Sequence, residues 1–208
     1  PFLYQTQLVD FFCTTPAKSC ICRLWLGAGK TTAGLLSVQR LLSEKKIKKT
    51  LVVAPKNVAK RGWVDEQKKW ECFTNLQVVY IDGTEAKRKK LLNEEADVYI
   101  INNDLIVWLS SLKEYKNTFD MLIIDESCNF KNSKTNRFRA IMKMNFTYKL
   151  LMSGTFASEN LIDIWTQVTI CDRGKRLGEK FAFLTKYFHS KQIYKGTLLR
   201  YTVYEISQ

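Results

Sequence analysis

The chain has 208 residues, 46% of them hydrophobic, enough to bury one α/β core with a small appendage. Its 33 Lys and Arg against 20 Asp and Glu give a formal charge of +13 at pH 7, which favours a polyanionic partner, nucleic acid ahead of membrane, although a basic surface kept for solubility has the same composition. No apolar run reaches membrane-spanning length and no secretory or lipidation signal is visible, so a cytoplasmic protein with no membrane partner is expected; six scattered cysteines without a CxxC pair, and a single histidine (His189), argue against structural zinc and for reduced thiols.

Short apolar runs alternate with longer stretches of helical period, the pattern of βαβ units around a mostly parallel sheet. The first predicted strand, residues 20–25, runs into Leu26-Gly27-Ala28-Gly29-Lys30-Thr31-Thr32 and then a helix over 31–43. Small residues at such a junction let successive backbone N–H groups turn around a phosphate, with Lys30 reaching the outer phosphates and the Thr31 hydroxyl placed for Mg²⁺. The full phosphate-loop pattern has a glycine where Leu24 stands, and an ordinary glycine turn before a helix would read similarly.

Strands at 50–54, 76–81 and 97–101 come next, interleaved with helices at 58–70, 85–93 and 104–112. The lysine runs at 45–49 and 87–90 read as solvated helix ends or faces. A fifth strand, 119–125, ends in Asp125-Glu126-Ser127-Cys128, which places an acidic pair at the sheet edge where open α/β sheets bind ligands. In that setting Asp125 holds Mg²⁺ through water and Glu126 orients and deprotonates an attacking water; two acids that merely cap a strand are the alternative.

A helix over 134–144 leads to a sixth strand, 148–152, and then to Ser153-Gly154-Thr155, small hydroxyl residues suited either to a bridge from the nucleotide site to a neighbouring surface or to a plain turn. The last helix of the series spans 160–170. Beyond it a turn at 171–174, an aromatic helix at 181–188 and a strand at 197–206 read as an appendage, so the expected division is 1–170 for the main lobe and 171–208 for a C-terminal extension. Trp63, Trp70, Trp108 and Trp165 suit either base stacking or a core.

In this order the motifs resemble the N-terminal RecA-like lobe of superfamily two helicases, specifically the Swi/Snf-related, DEAD/DEAH-like ATPases. Leu3-Tyr4-Gln5 with Leu8-Val9-Asp10-Phe11-Phe12 is similar to that family's opening segment, Leu51 to Pro55 with Trp63, Glu66, Lys69 and Trp70 to its second motif, and Asp125 to Asn132 to its Mg²⁺ motif. Ser153-Gly154-Thr155, then 160–165, 174–178 and Tyr187-Phe188, together with Ile101-Asn102 and Val107-Trp108-Leu109, resemble the subset found in bacteriophages and prophages.

The resemblance implies a three-layer α-β-α P-loop fold, ATP and Mg²⁺ as cofactors, and DNA as partner, in the host cytoplasm if the chain is phage-encoded. It implies Lys30, Asp125 and Glu126 as catalytic residues and Gln5, Gly27, Ala28, Gly29, Lys30, Thr31 and Thr32 as ATP-binding, Gln5 reading the adenine edge. Thr31 and Asp125 would share Mg²⁺, Ser153, Gly154 and Thr155 would couple the site to movement, and Lys56, Arg61 and Asn102 would meet DNA phosphates. Arginine fingers in this family come from a second RecA-like lobe, so these residues alone are expected to bind nucleotide weakly and turn it over slowly; a degenerate lobe that binds nucleic acid or a partner without turnover is the competing reading. The chain departs from the family at Trp25, Leu26 and Cys128, and at Phe156, which replaces a proline of fixed φ.

Overall fold

The computed structural model describes residues 1–155, 161–195 and 199–206. Six strands form one fully parallel sheet: β1 (Ser19–Arg23), β2 (Thr50–Ala54), β3 (Val78–Tyr80), β4 (Val98–Asn102), β5 (Met121–Asp125) and β6 (Tyr148–Ser153), in the order β1-β6-β5-β2-β4-β3. β2, β4, β5 and β6 are buried along their whole length, which is why they read as unbroken apolar runs rather than alternating ones.

Side-chain alternation splits the core into two layers. Val52, Ala54, Met121, Ile123, Leu150 and Met152 face one layer, with α1 (Leu3–Thr14) and α2 (Lys30–Ser43). Leu51, Val53, Tyr99, Ile101, Leu122 and Ile124 face the other, with α5 (Glu85–Leu92), α6 (Leu105–Ser111), α7 (Asn136–Lys143) and α8 (Ile164–Asp172). The three-layer expectation therefore holds, and all six expected strands form.

Four local expectations change. Residues 3–14, read only as an opening segment, form α1, whose Gln5 Oε1 accepts the Phe2 N–H at 2.8 Å and so caps its start. The helix expected over 58–70 is broken: α3 (Lys56–Val58) passes into a π-helical turn (Ala59–Val64) and then α4 (Asp65–Lys69). A π turn inserts an extra residue per turn and resets the phase of the helix beyond it, so a 3.6-residue periodicity does not reveal it. The last helix of the main series runs past residue 170 to Asp172, where Arg173 and Gly174 turn the chain with φ of 61° and 81°. The single late strand becomes an antiparallel hairpin of β7 (Phe188–Lys195) and β8 (Leu199–Ile206), preceded by α9 (Lys180–Tyr187); Thr197 and Leu198 lie outside the described residues. Phe183 and Phe188 join the core layer of α7 and α8, so the start of the extension is packed onto the lobe.

Candidate nucleotide site at the carboxyl edge of the sheet

Parallel strands place all their carboxyl ends on one edge, and the loops after β1, β2, β5 and β6 meet there. The loop after β1 becomes the start of α2. Gly29, its N-cap, has φ 67° and offers no side-chain cap, and Gly27 has φ 80°, conformations that glycine adopts without penalty. The first-turn N–H groups of α2 are thus left for an external acceptor, which the helix dipole prefers to be an anion. Gln5 lies beneath this loop, 3% exposed, with Nε2 donating to the carbonyls of Ala28 at 3.2 Å and Gly29 at 3.3 Å; Tyr4 Oη donates to the same Ala28 carbonyl at 3.0 Å.

The placement of the acidic pair comes from strand parity. Asp125 comes two residues after Ile123 and so points into the α2 layer, only 2% exposed. Its Oδ2 accepts the Trp63 indole N–H at 3.0 Å and its Oδ1 accepts the Glu126 N–H at 3.0 Å. Burial pushes its pKa up; the Trp63 hydrogen bond pulls the other way, the Glu126 charge adds to the rise, and Lys30 opposes it. Glu126 has φ 52°, a left-handed conformation uncommon for a residue with a side chain, and this swings its carboxylate towards Lys30, with Oε1 3.3 Å from Nζ. Ser153 Oγ lies 3.3 Å from Glu126 Oε2 and 2.6 Å from the Thr155 carbonyl, while the Thr155 N–H donates to Ser153 Oγ at 3.2 Å; Gly154 accepts from Arg23 Nε at 3.3 Å.

Lys30, Thr31, Asp125 and Glu126 line one cavity of about 470 Å³, with Gly27, Gly29 and Arg61 on its wall. A second cavity of about 420 Å³ adjoins it on the Gln5 side, lined by Phe2, Gly29, Thr32, Leu36, Glu66 and Trp70 among others, a more apolar space. Glu66 ties the two together: its Oε1 accepts Thr32 Oγ1 at 2.6 Å and Trp70 Nε1 at 2.8 Å. Burial resists its ionisation, but those two donors and Lys69 outweigh burial and hold its carboxyl below the usual range. Among the described residues no cluster of three or more His, Cys, Asp or Glu could cage a metal alone. A hydroxyl and one buried carboxylate lining the same cavity is nonetheless the donor set that suits Mg²⁺, which takes few protein oxygens and completes its shell with water and substrate phosphates.

The remaining expected residues fall in different places. Lys56 is exposed at the start of α3, directly beyond β2 and Pro55, and Arg61 is exposed where the π turn meets the cavity. Asn102 is 8% exposed, and its Oδ1 accepts the N–H groups of Asp104 at 2.9 Å and Leu105 at 3.3 Å, so it caps the entry to α6. Trp25 is 76% exposed, with Arg23 over its ring, and does not line the cavity, whereas Leu26, 88% exposed, stands on the wall of the cavity that Lys30 and Asp125 line. Phe156 lies outside the described residues. Trp63 and Trp165 are core, as one of the two expectations had it, whereas Trp70 stands 44% exposed on the second cavity.

Residues 4–187 match the SNF2-related domain family. The chain belongs to that family. Its relatives include protein p41 of Acyrthosiphon pisum secondary endosymbiont phage 1, 33% identical over 81% of this chain and 39% of the phage protein. Another is the ISWI chromatin-remodeling complex ATPase ISW1 of Saccharomyces cerevisiae, 30% identical over 67% of this chain and 13% of that protein. Among solved structures, the Sulfolobus solfataricus SWI2/SNF2 ATPase core in complex with dsDNA superposes with a TM-score of 0.77 at 23% identity, over 89% of this chain and 38% of the other. This SNF2-related chain thus spans about two fifths of the phage relative and less of the eukaryotic one. Among its described residues no helix is long and apolar enough to cross a membrane.

Proposed function

We propose that this SNF2-related chain is the ATP-binding lobe of a DNA-stimulated ATPase of the helicase or translocase type, working with a second RecA-like lobe and lying in the cytoplasm, that of the host if it is phage-encoded. The observation that carries the reading is the convergence of Lys30, Thr31, Asp125 and Glu126 on one cavity, with Lys30 and Glu126 paired at 3.3 Å. In this reading the Gly27–Thr32 backbone and Lys30 hold the β- and γ-phosphates, and Thr31 and Asp125 would hold Mg²⁺, which would supply neutralisation of the charge on the transferred phosphoryl group. Glu126 gives up its pairing with Lys30 when phosphate arrives, aligns the attacking water and accepts its proton as the bond to the γ-phosphorus forms and the bond to the leaving oxygen breaks. Gln5 reads the adenine edge from the adjoining cavity, and Ser153 reports the state of Glu126 to Thr155 and beyond. Lys56 and Arg61 meet DNA phosphates, and residues 171–208 lead towards the second lobe, the expected source of arginine fingers.

A fluorescent ATP analogue titrated with Mg²⁺ onto the wild type, Lys30→Ala and Glu126→Gln tests this. Binding by the wild type and Glu126→Gln, with at least about a tenfold loss in Lys30→Ala, supports it; DNA-stimulated turnover on adding a second lobe, absent in Glu126→Gln, extends it to catalysis. Equal, negligible binding by all three overturns the nucleotide reading.

A further inference from the structure

Trp63 is fully buried, and it is a large side chain to set against one carboxylate. Three elements converge on it. From the π turn its indole N–H reaches Asp125 Oδ2 at the end of β5, 3.0 Å away, which satisfies a donor that burial would otherwise leave unpaired. From α2, Gly34 makes the space for the ring: a Cβ there would stand 2.7 Å from the indole Cη2. The phosphate-loop helix, the π turn and the acidic strand are therefore keyed together at one ring, and the same π turn presents Arg61 and Gly62 to the cavity that Asp125 lines. π turns recur at functional sites because they aim a side chain that regular helix would misplace.

We propose that Trp63 is a positioning residue for Asp125, and that through it the turn carrying Arg61 sets the orientation of that carboxylate, so that polyanion contact at Lys56 and Arg61 is felt at the divalent-cation position. The inference rests on the nucleotide reading above. With Oδ2 tied to Trp63 and Oδ1 to the Glu126 N–H, the plane of the carboxylate is fixed, and each oxygen keeps capacity for a further partner on a residue that lines the cavity. A small rotation of the π turn moves the N–H, and the carboxylate must move with it or lose a buried hydrogen bond. Outer-shell donors of this kind set metal affinity in other proteins, commonly by about 10- to 100-fold.

The test measures Mg²⁺-dependent binding of a fluorescent ATP analogue to the 208-residue chain, with Mg²⁺ as the titrant. Trp63→Phe keeps an aromatic ring and removes the N–H. It is expected to raise the Mg²⁺ midpoint about tenfold or more while leaving metal-free nucleotide binding, which depends on the loop and Lys30, within about twofold of wild type. A merely structural role would lower the melting temperature and leave the Mg²⁺ midpoint in place, and that outcome overturns the proposal. Gly34→Ala, which presses on the same ring without touching its N–H, serves as the second variant: a raised midpoint supports the keyed arrangement and an unchanged one counts against it, whether or not Trp63→Phe folds. Short duplex DNA should lower the midpoint of the wild type and leave that of Trp63→Phe where it was; an equal shift in both overturns the link to Arg61. A wild type whose nucleotide binding ignores Mg²⁺ overturns the underlying reading as well, whereas a Mg²⁺-responsive wild type matched by Trp63→Phe overturns this inference alone.

Discussion

Gln5 performs two tasks with one amide: its oxygen caps α1 at the Phe2 N–H, and its nitrogen supports the carbonyls of Ala28 and Gly29. That arrangement depends on Gly29 having no side chain. A Cβ there would lie 2.2 Å from Gln5 Nε2, on a backbone at φ 67°, whereas one at Gly27, at φ 80°, would meet nothing within 4 Å. Left-handed backbone costs a residue with a Cβ about 1–2 kcal/mol. Gly27→Ala is therefore expected to lose about that much stability in urea, and Gly29→Ala to lose more and to displace Gln5, with weaker nucleotide binding. Equal losses for the two variants would show that the Gln5 contact contributes nothing. The sequence shows the two glycines and the glutamine; it does not show that they touch, because 24 residues and one strand separate Gln5 from Gly29 and only the fold closes the gap.

Three elements each hold a cysteine against their neighbours: Cys13 on α1, Cys22 on β1 and Cys171 on α8. Burial pushes these thiols up from 9.0, Cys13 to about 11 and Cys22 and Cys171 to about 12. Their contribution to stability is full below 9.0 and is lost as pH rises through the folded values, since the unfolded chain ionises first. The urea midpoint should accordingly fall between pH 9 and 11, and Cys22→Ala should flatten part of that slope. A thiol reagent at pH 8 should modify exposed Cys72 quickly and reach buried Cys13 and Cys22 only on unfolding; fast labelling of those two would mean that α1 and β1 are not packed as described. At this scale the strands were the legible part, because burial on both faces leaves a continuous apolar run. The helix over 58–70 was not legible as it stands, since the π turn that breaks it carries Trp63 to Asp125, a tertiary contact with no local period.

Across the whole molecule, the proposed DNA contact combined with the charge of +13 predicts an affinity carried by phosphates and steeply salt-dependent. Binding of duplex DNA, measured from low to high salt, should show a linear fall of log affinity with log salt, and Lys56→Ala and Arg61→Ala should each reduce the slope by about 1 without changing sequence preference. Affinity unmoved by salt would exclude phosphate contact. The residue types and their order along the chain, glycine loop with Lys30, then Asp125-Glu126, then Ser153-Gly154-Thr155, determined the family and the parallel α/β fold, because strand run, turn chemistry and motif order are local properties of a sequence. Tertiary structure decided what those residues face: it paired Lys30 with Glu126, left Trp25 off the cavity that Leu26 lines, committed Asn102 to a helix cap and brought Trp63 to Asp125. Each of these joins or separates groups from different elements, and distance between elements is set by core packing, which no single stretch of sequence contains.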